Sequence, residues 1–101
     1  MTKFQIGAID EVIHGRVRLG VMAYLAAEGE AEFTVLKRAL EVNEGTLSVH
    51  LRKLEEAGYV SIDKGYRDRR PLTRILLTEQ GRAAFATYLE AIGKLHGLAG
   101  G

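Results

Sequence analysis

Apolar residues crowd the chain from Ile9 to Ala27: Ile9, Val12, Ile13, Val17, Leu19, Val21, Met22, Tyr24 and Leu25. Val17, Val21, Tyr24 and Leu25 share one helical face, while Leu19, Met22 and Ala26 occupy another. A helix that is apolar on most sides belongs at the centre of a small fold. Gly15 weakens any helix running through it, so the pattern predicts a short helix before it and the main one after, within residues 9–28. A second helix is expected from about Val35 to Leu40, capped by Thr34, with Leu36, Ala39 and Leu40 facing inward. Phe33 would belong to a minimal strand just ahead of that cap.

The most regular stretch is NEGTLSVHLRKLEEAGYV. Leu47, Leu51, Leu54 and Gly58 recur at i, i+4, i+7 and i+11 and mark one buried stripe. Asn43 is the natural N-cap, Glu44 sits in the first turn where the helix dipole favours an anion, and Gly58 ends the helix in a left-handed conformation. At Tyr59 the period changes to two. Val60 and Ile62 alternate with Ser61 and Asp63, and Ile75 and Leu77 alternate similarly, which predicts two short strands around a polar hairpin loop, KGYRDRRP. Thr78 then caps a last helix carrying Phe85, Tyr88, Leu89, Ile92 and Leu95. The expected order is helix, helix, helix, strand, strand, helix.

A chain of 101 residues suits one domain with a single small core. The absence of cysteine excludes disulfides, thiolate metal sites, iron–sulfur clusters and cysteine nucleophiles. No apolar run approaches the roughly 20 residues of a membrane span. The segment MTKFQIGAIDEV carries charges where a signal peptide would be apolar, so a soluble, cytoplasmic protein is expected. The glycine-rich end, GLAGG, is expected to fray. No Ser–His–Asp spacing, phosphate-binding glycine loop or HExxH motif is present, and the reading is non-enzymatic with no cofactor or metal.

The formal net charge is only +1, so any basic surface has to be local. It is local. Between Lys64 and Arg74 lie Lys64, Arg67, Arg69, Arg70 and Arg74 against Asp68 alone, a net +4 in a chain whose remainder is −3. A solvated loop accounts for such a cluster, and so does a ribbon that grips phosphates or enters a minor groove, its loop ends stiffened by Tyr66 and Pro71.

The third helix has a matching outer side. With Leu51 inward, 100° per residue places Gly45, Val49, Arg52 and Glu56 opposite, flanked by Thr46 and Lys53. That side is small near its N-terminus and basic in the middle, as a major-groove reader requires; an exposed Val49 would meet a thymine methyl. An ordinary solvated helix face also fits, and Glu55 and Glu56 favour it.

A helix–turn–helix followed by a basic hairpin resembles the winged-helix fold. The segments VIHGRVRLGVMAYLA, FTVLKRALEVNEGTLSVHLRKLEEAGYV and DKGYRDRRPLTRILLTEQGRAAF are similar to the compact MarR/ArsR-like transcription regulators. The resemblance implies an α+β, mainly α, architecture: a three-helix core, a two-stranded wing and a C-terminal dimerisation helix. Its divisions within one domain of 1–101 would be helix–turn–helix at 34–58, wing at 59–77 and last helix at 78–97. It implies a homodimeric regulator of transcription, a repressor in the reading adopted here, bound to double-stranded DNA at a near-palindromic operator and associated with the nucleoid when bound. The residues expected at the DNA are Thr34, Asn43, Gly45, Thr46, Ser48, Val49, Arg52, Lys53, Lys64, Arg67, Arg69 and Arg70. Cysteine-based metal or peroxide sensing is excluded. Relatives often carry a basic residue where Val49 stands, so base preference does not transfer.

Ile6, Ile9, Val12 and Ile13 at one end, and Phe85, Tyr88, Leu89, Ile92 and Leu95 at the other, exceed what a small core needs. Packing on the domain's own core accounts for them; a two-fold interface does too, and is the expectation adopted because pairing gives half-site spacing. Asp10 and His14, at i and i+4, are too few for a metal and read as an exposed pair or dimer contact. His50 reads as a partly buried structural histidine, with a phosphate contact second. A winged helix that docks an acidic protein through its basic hairpin is the alternative function.

Overall fold

In a computed structural model of the chain, residues 6–98 are described. Residues 99–101 of the end expected to fray lie outside them. Helix α1 (Arg16–Glu28) is followed by strand β1 (Glu30–Glu32), helix α2 (Phe33–Leu40), helix α3 (Glu44–Glu56), strands β2 (Val60–Arg67) and β3 (Arg70–Leu77), and helix α4 (Glu79–Leu98). The sheet is antiparallel in the order β1-β3-β2. The architecture is the mainly helical winged helix-turn-helix anticipated from the sequence, with a third strand at Glu30–Glu32, directly before Phe33, where the sequence suggests a minimal one.

Helix α1 is the central element. Val21, Met22 and Leu25 are fully buried, and Leu19, Tyr24 and Ala26 pack around the same core. It contacts α2, α3, α4 and the sheet, which is why its apolar residues occupy several faces. Gly20 lets α2 approach: a Cβ there would stand 2.9 Å from Leu40 Cδ2. Gly15, at φ 140°, supplies the break before α1. The segment ahead of it is shorter than a helix, a 3-10 turn at Ile6–Ala8 and then a turn in which His14 N–H donates to the Asp10 carbonyl at 2.8 Å.

Helix α2 departs from expectation at its start. Its N-cap is Glu32, without a side-chain cap hydrogen bond, and Thr34 is the second helical residue. Phe33 opens the helix, and the strand is the preceding Glu30–Glu32. Leu36 is buried and Leu40 half-buried, but Ala39 faces solvent.

Local chemistry sets both ends of α3. The Asn43 side chain accepts from Thr46 N–H at 2.7 Å, a cap worth about 1 kcal/mol. At the other end Tyr59 N–H donates to the Leu54 carbonyl and Gly58 N–H to the Glu55 carbonyl, both at 2.9 Å, with Gly58 at φ 83°. These two bonds define a Schellman stop, which needs a residue without Cβ strain at the left-handed position.

The chain then reverses into β2. Ile62 pairs with Ile75 and Val60 with Leu77, so the alternating apolar residues meet across the ladder and seal the core. Thr78 caps α4 by accepting from Gly81 N–H at 2.8 Å. Gly81 rests on the Tyr59 backbone so closely that a Cβ would overlap the carbonyl oxygen.

Candidate nucleic-acid interface

Leu47, Leu51 and Leu54 anchor α3 in the core and thereby aim its other sides. At 100° per residue, Ser48 and Arg52 lie on one flank, Gly45, Val49 and Glu56 on the crest, and Thr46, His50 and Lys53 on the far flank. Val49 is 53% exposed, an aliphatic side chain held out to solvent. Asn43, one of the expected contact residues, has its side-chain oxygen committed to the cap.

Ser48 and Arg52 face the wing. Together with Phe33, Glu44, Leu51, Glu55, Ile62, Lys64 and Thr73 they line a cleft of about 410 Å³ between α3 and the sheet. The flank of α3 and the root of the wing therefore form one continuous surface. A second depression, bordered by Phe33, Thr34, Arg67, Arg70 and Thr73, carries this surface outward to the base of α2. Thr34 is beside the wing rather than under the helix as a cap.

The wing's strands run further toward its tip than the sequence suggests. KGYRDRRP is not a loop: β2 runs to Arg67 and β3 starts at Arg70, leaving only Asp68 and Arg69 at the tip. Both have positive φ, 50° and 70°, the backbone of a two-residue turn that matches the twist of its strands. Tyr66 and Pro71 are cross-strand partners. β1 reaches only as far as Arg74 along β3, so no strand pairs with the outer side of Pro71, whose missing N–H is tolerated there.

The basic residues of the ribbon are not equivalent. Arg67 bonds Glu32 at 3.1 Å, and Arg74 bonds Glu30 at 3.2 Å and Asp63 at 2.7 Å. Each pair is exposed and adds little stability. Their effect is on charge: among the described residues Lys64, Arg69 and Arg70 are the wing cations without an ion pair. Arg67, expected at the DNA with Arg69 and Arg70, differs from them in its pairing with Glu32, which β1 brings alongside.

Arg18, which the sequence reading passes over, stands on the far flank of α3. Its Nη1 lies 3.3 Å from His50 Nδ1. Burial, then the neighbouring Arg18 and Lys53 charges, hold the His50 imidazole below its ordinary value. Only a contact 32 residues apart exposes this cluster, and no motif marks it.

The terminal apolar residues divide. Ile13, Phe85 and Tyr88 are buried in the protomer's own core, so they are not surface residues as the two-fold interface assumed. Ile9, Val12 and Ile92 are half-buried against that core. Ile6, Leu89 and Leu95 are exposed by 80%, 50% and 41%. Asp10 and His14 share no site. Asp10 accepts from Val12 N–H and from the Tyr59 hydroxyl, whereas His14 Nδ1 meets the Tyr88 hydroxyl at 3.0 Å. Among the described residues no three of His, Asp and Glu gather as metal ligands, and no helix is long and apolar enough to cross a membrane.

Three comparisons place this geometry. The family described as "Winged helix DNA-binding domain" matches residues 17–95. An uncharacterized protein of Methanocaldococcus jannaschii is 36% identical over 85 residues, covering 84% of this chain and 92% of that protein. A transcriptional regulator homologue from Pyrococcus horikoshii OT3 superposes with a TM-score of 0.85 at 27% identity, over 90% of each chain. Overoxidized AbfR, solved bound to DNA, superposes with a TM-score of 0.68 at 28% identity over 76% of this chain and 58% of its own.

Proposed function

The chain belongs to the winged helix DNA-binding domain family, and on that premise we propose that it is a sequence-specific, double-stranded-DNA-binding transcription regulator, acting as a homodimeric repressor on a near-palindromic operator. The observation that carries the reading is the cleft in which Ser48 and Arg52 of α3 face Lys64 of the wing. An α-helix with its side chains fills a major groove, and short residues at its N-terminal end let it enter. Gly45, Thr46 and Ser48 provide that entry; Val49 and Arg52 address base edges, and Arg69 and Arg70 hold the flanking backbone. The DNA-bound state of AbfR, a structural neighbour, supports the same use of the fold.

Pairing is supported by Ile6, Leu89 and Leu95, large apolar side chains left exposed at the two ends of the chain. Two copies joined there would place their α3 helices on successive major grooves, roughly 34–36 Å apart. Thr34, Lys53 and Lys64 would add backbone contacts around each half-site.

One observation favours a second reading. Glu44 and Glu55 line the same cleft as Arg52 and Lys64, which suits a charged protein partner as well as a polyanion. Selection of bound sequences from a random duplex pool with the purified protein separates the two. Symmetric half-sites are the expected result; failure to retain any duplex at low salt transfers the surface to an acidic protein partner.

A further inference from the structure

Arg18, His50 and Lys53 converge on the flank of α3 that faces away from the wing. A guanidinium only donates, so the 3.3 Å contact from Arg18 Nη1 requires His50 Nδ1 to be an acceptor, which makes the imidazole neutral with its proton on Nε2. Arg18 Nε is buried and has no hydrogen-bond partner. Among the described residues neither Arg18 nor Lys53 closes an ion pair. Glu11 from the N-terminal turn and Glu56 from α3 border the same depression, but neither comes within ion-pair distance of either cation. Two cations and an unprotonated imidazole thus share a site in which no carboxylate closes an ion pair with them.

We propose that this cluster is a second phosphate site, which grips the DNA backbone on the side of the reading helix opposite the wing and takes up a proton at His50 as it does so. The dimensions favour a duplex over a free oxyanion. An α-helix with side chains is about 10–12 Å across and the major groove about 12 Å wide, so each flank of an inserted helix faces a sugar–phosphate strand. Ser48, Arg52 and the wing occupy one flank; Arg18, His50 and Lys53 occupy the other. An arriving phosphodiester supplies an anionic acceptor for Arg18 Nη1 and offsets the burial and repulsion that keep His50 neutral. Its imidazole then gains a proton from solvent, and the guanidinium exchanges Nδ1 for a phosphate oxygen.

Burial and the two cations set the free imidazole below its ordinary value. A phosphate raises it. Affinity is therefore greatest below the free value, falls as pH rises towards the bound value and levels off above it.

The proposal rests on duplex binding by α3 and the wing, and its test keeps the two apart. Anisotropy titrations of the selected duplex between pH 5.5 and 8 are expected to show affinity falling with pH by up to about tenfold per unit, the loss of one linked proton. H50Q is expected to flatten that dependence while R69A keeps it. R18Q is expected to lower the slope of log affinity against log salt by about 1, and so is K53Q, which sits on the exposed rim and leaves the core intact. Binding that depends on Arg69 but keeps the same pH profile in H50Q and the same salt slope in R18Q and K53Q overturns this site alone. A protein that binds no duplex overturns both readings. Inorganic phosphate at millimolar concentration is expected to leave the His50 ring resonances unmoved; a saturable shift would reassign the site to a free oxyanion.

Discussion

Arg67, at the last position of β2, reaches past β3 to Glu32 at the end of β1, with 3.1 Å between Nη2 and Oε2. The pair neutralises Arg67, as Glu30 and Asp63 neutralise Arg74, and leaves Arg69 and Arg70 to meet a polyanion. Glu32→Gln is expected to release Arg67, strengthen binding to all duplexes and steepen the salt slope by up to about 1. A slope unchanged in that variant would show that the pair dissolves when DNA binds.

Arg69→Ala is expected to weaken specific and random duplexes alike and to lower the salt slope by about 1, because the proposed complex has Arg69 at the tip meeting phosphates. Arg67→Ala is expected to cost less. Equal losses from the two would contradict the division made by Glu32.

Substitution of Ser48 or Val49 should instead change which sequence is preferred. Both are exposed on the outer part of α3, and a lost base contact costs about 1–3 kcal/mol at one base pair. Competition between single-base variants of the selected site measures it; a uniform loss over all variants would remove these residues from base reading.

Asn43→Ala removes the cap of α3 while leaving every charge in place. A loss of about 1 kcal/mol in urea unfolding is expected, with no change in salt slope once binding is measured on folded protein. A change in slope would show that the cap also sets how the charged residues of α3 meet the backbone.

The Tyr59 hydroxyl donates to Asp10, and this bond, then burial, then the Asp10 charge push its ionisation up to about 12. A raised folded value means the neutral form is favoured, so its stabilisation is full below about 10 and is lost as pH climbs through 12. Tyr59→Phe should delete the absorbance step near pH 12 and lower stability by about 1 kcal/mol at neutral pH. If the step survives, it belongs to another tyrosine.

The legible parts of this molecule are those whose causes are local. Asn43 and Gly58 bracket α3 through contacts within a few residues, and the leucine stripe between them needs only helical spacing. Strand β1 is different. Glu-Ala-Glu has one apolar residue and no alternation long enough to notice, and it becomes a strand only because Ile75 and its neighbours arrive 44 residues later. The pairing of Arg67 with Glu32 and of Arg74 with Glu30 follows from β1 and is hidden with it, whereas Asp63 meets Arg74 across the β2–β3 ladder. Residues 64–71 read as a loop from the sequence because a ribbon standing in solvent has no buried face to impose a period of two on them. Arg18 gave no signal at all; its role depends on where α1 crosses α3. Spacing does not say which side of a helix a small core consumes, so Phe85 and Tyr88 share a stripe with Leu89 and Leu95 yet are buried while those two are exposed.

The seat of Gly81 on the Tyr59 carbonyl has a consequence for measurement at a distance. Main chain bears directly on main chain there, one residue beyond the Schellman stop of α3, so the joint contains no rotamer that can yield. α4 leaves it as an arm of twenty residues, about 30 Å long, whose bearing is set by backbone geometry. Two such arms clasped together would behave as a caliper with locked jaws. An operator whose halves were moved apart by one base pair would have to be twisted back into step, and the energy for that would come from the DNA.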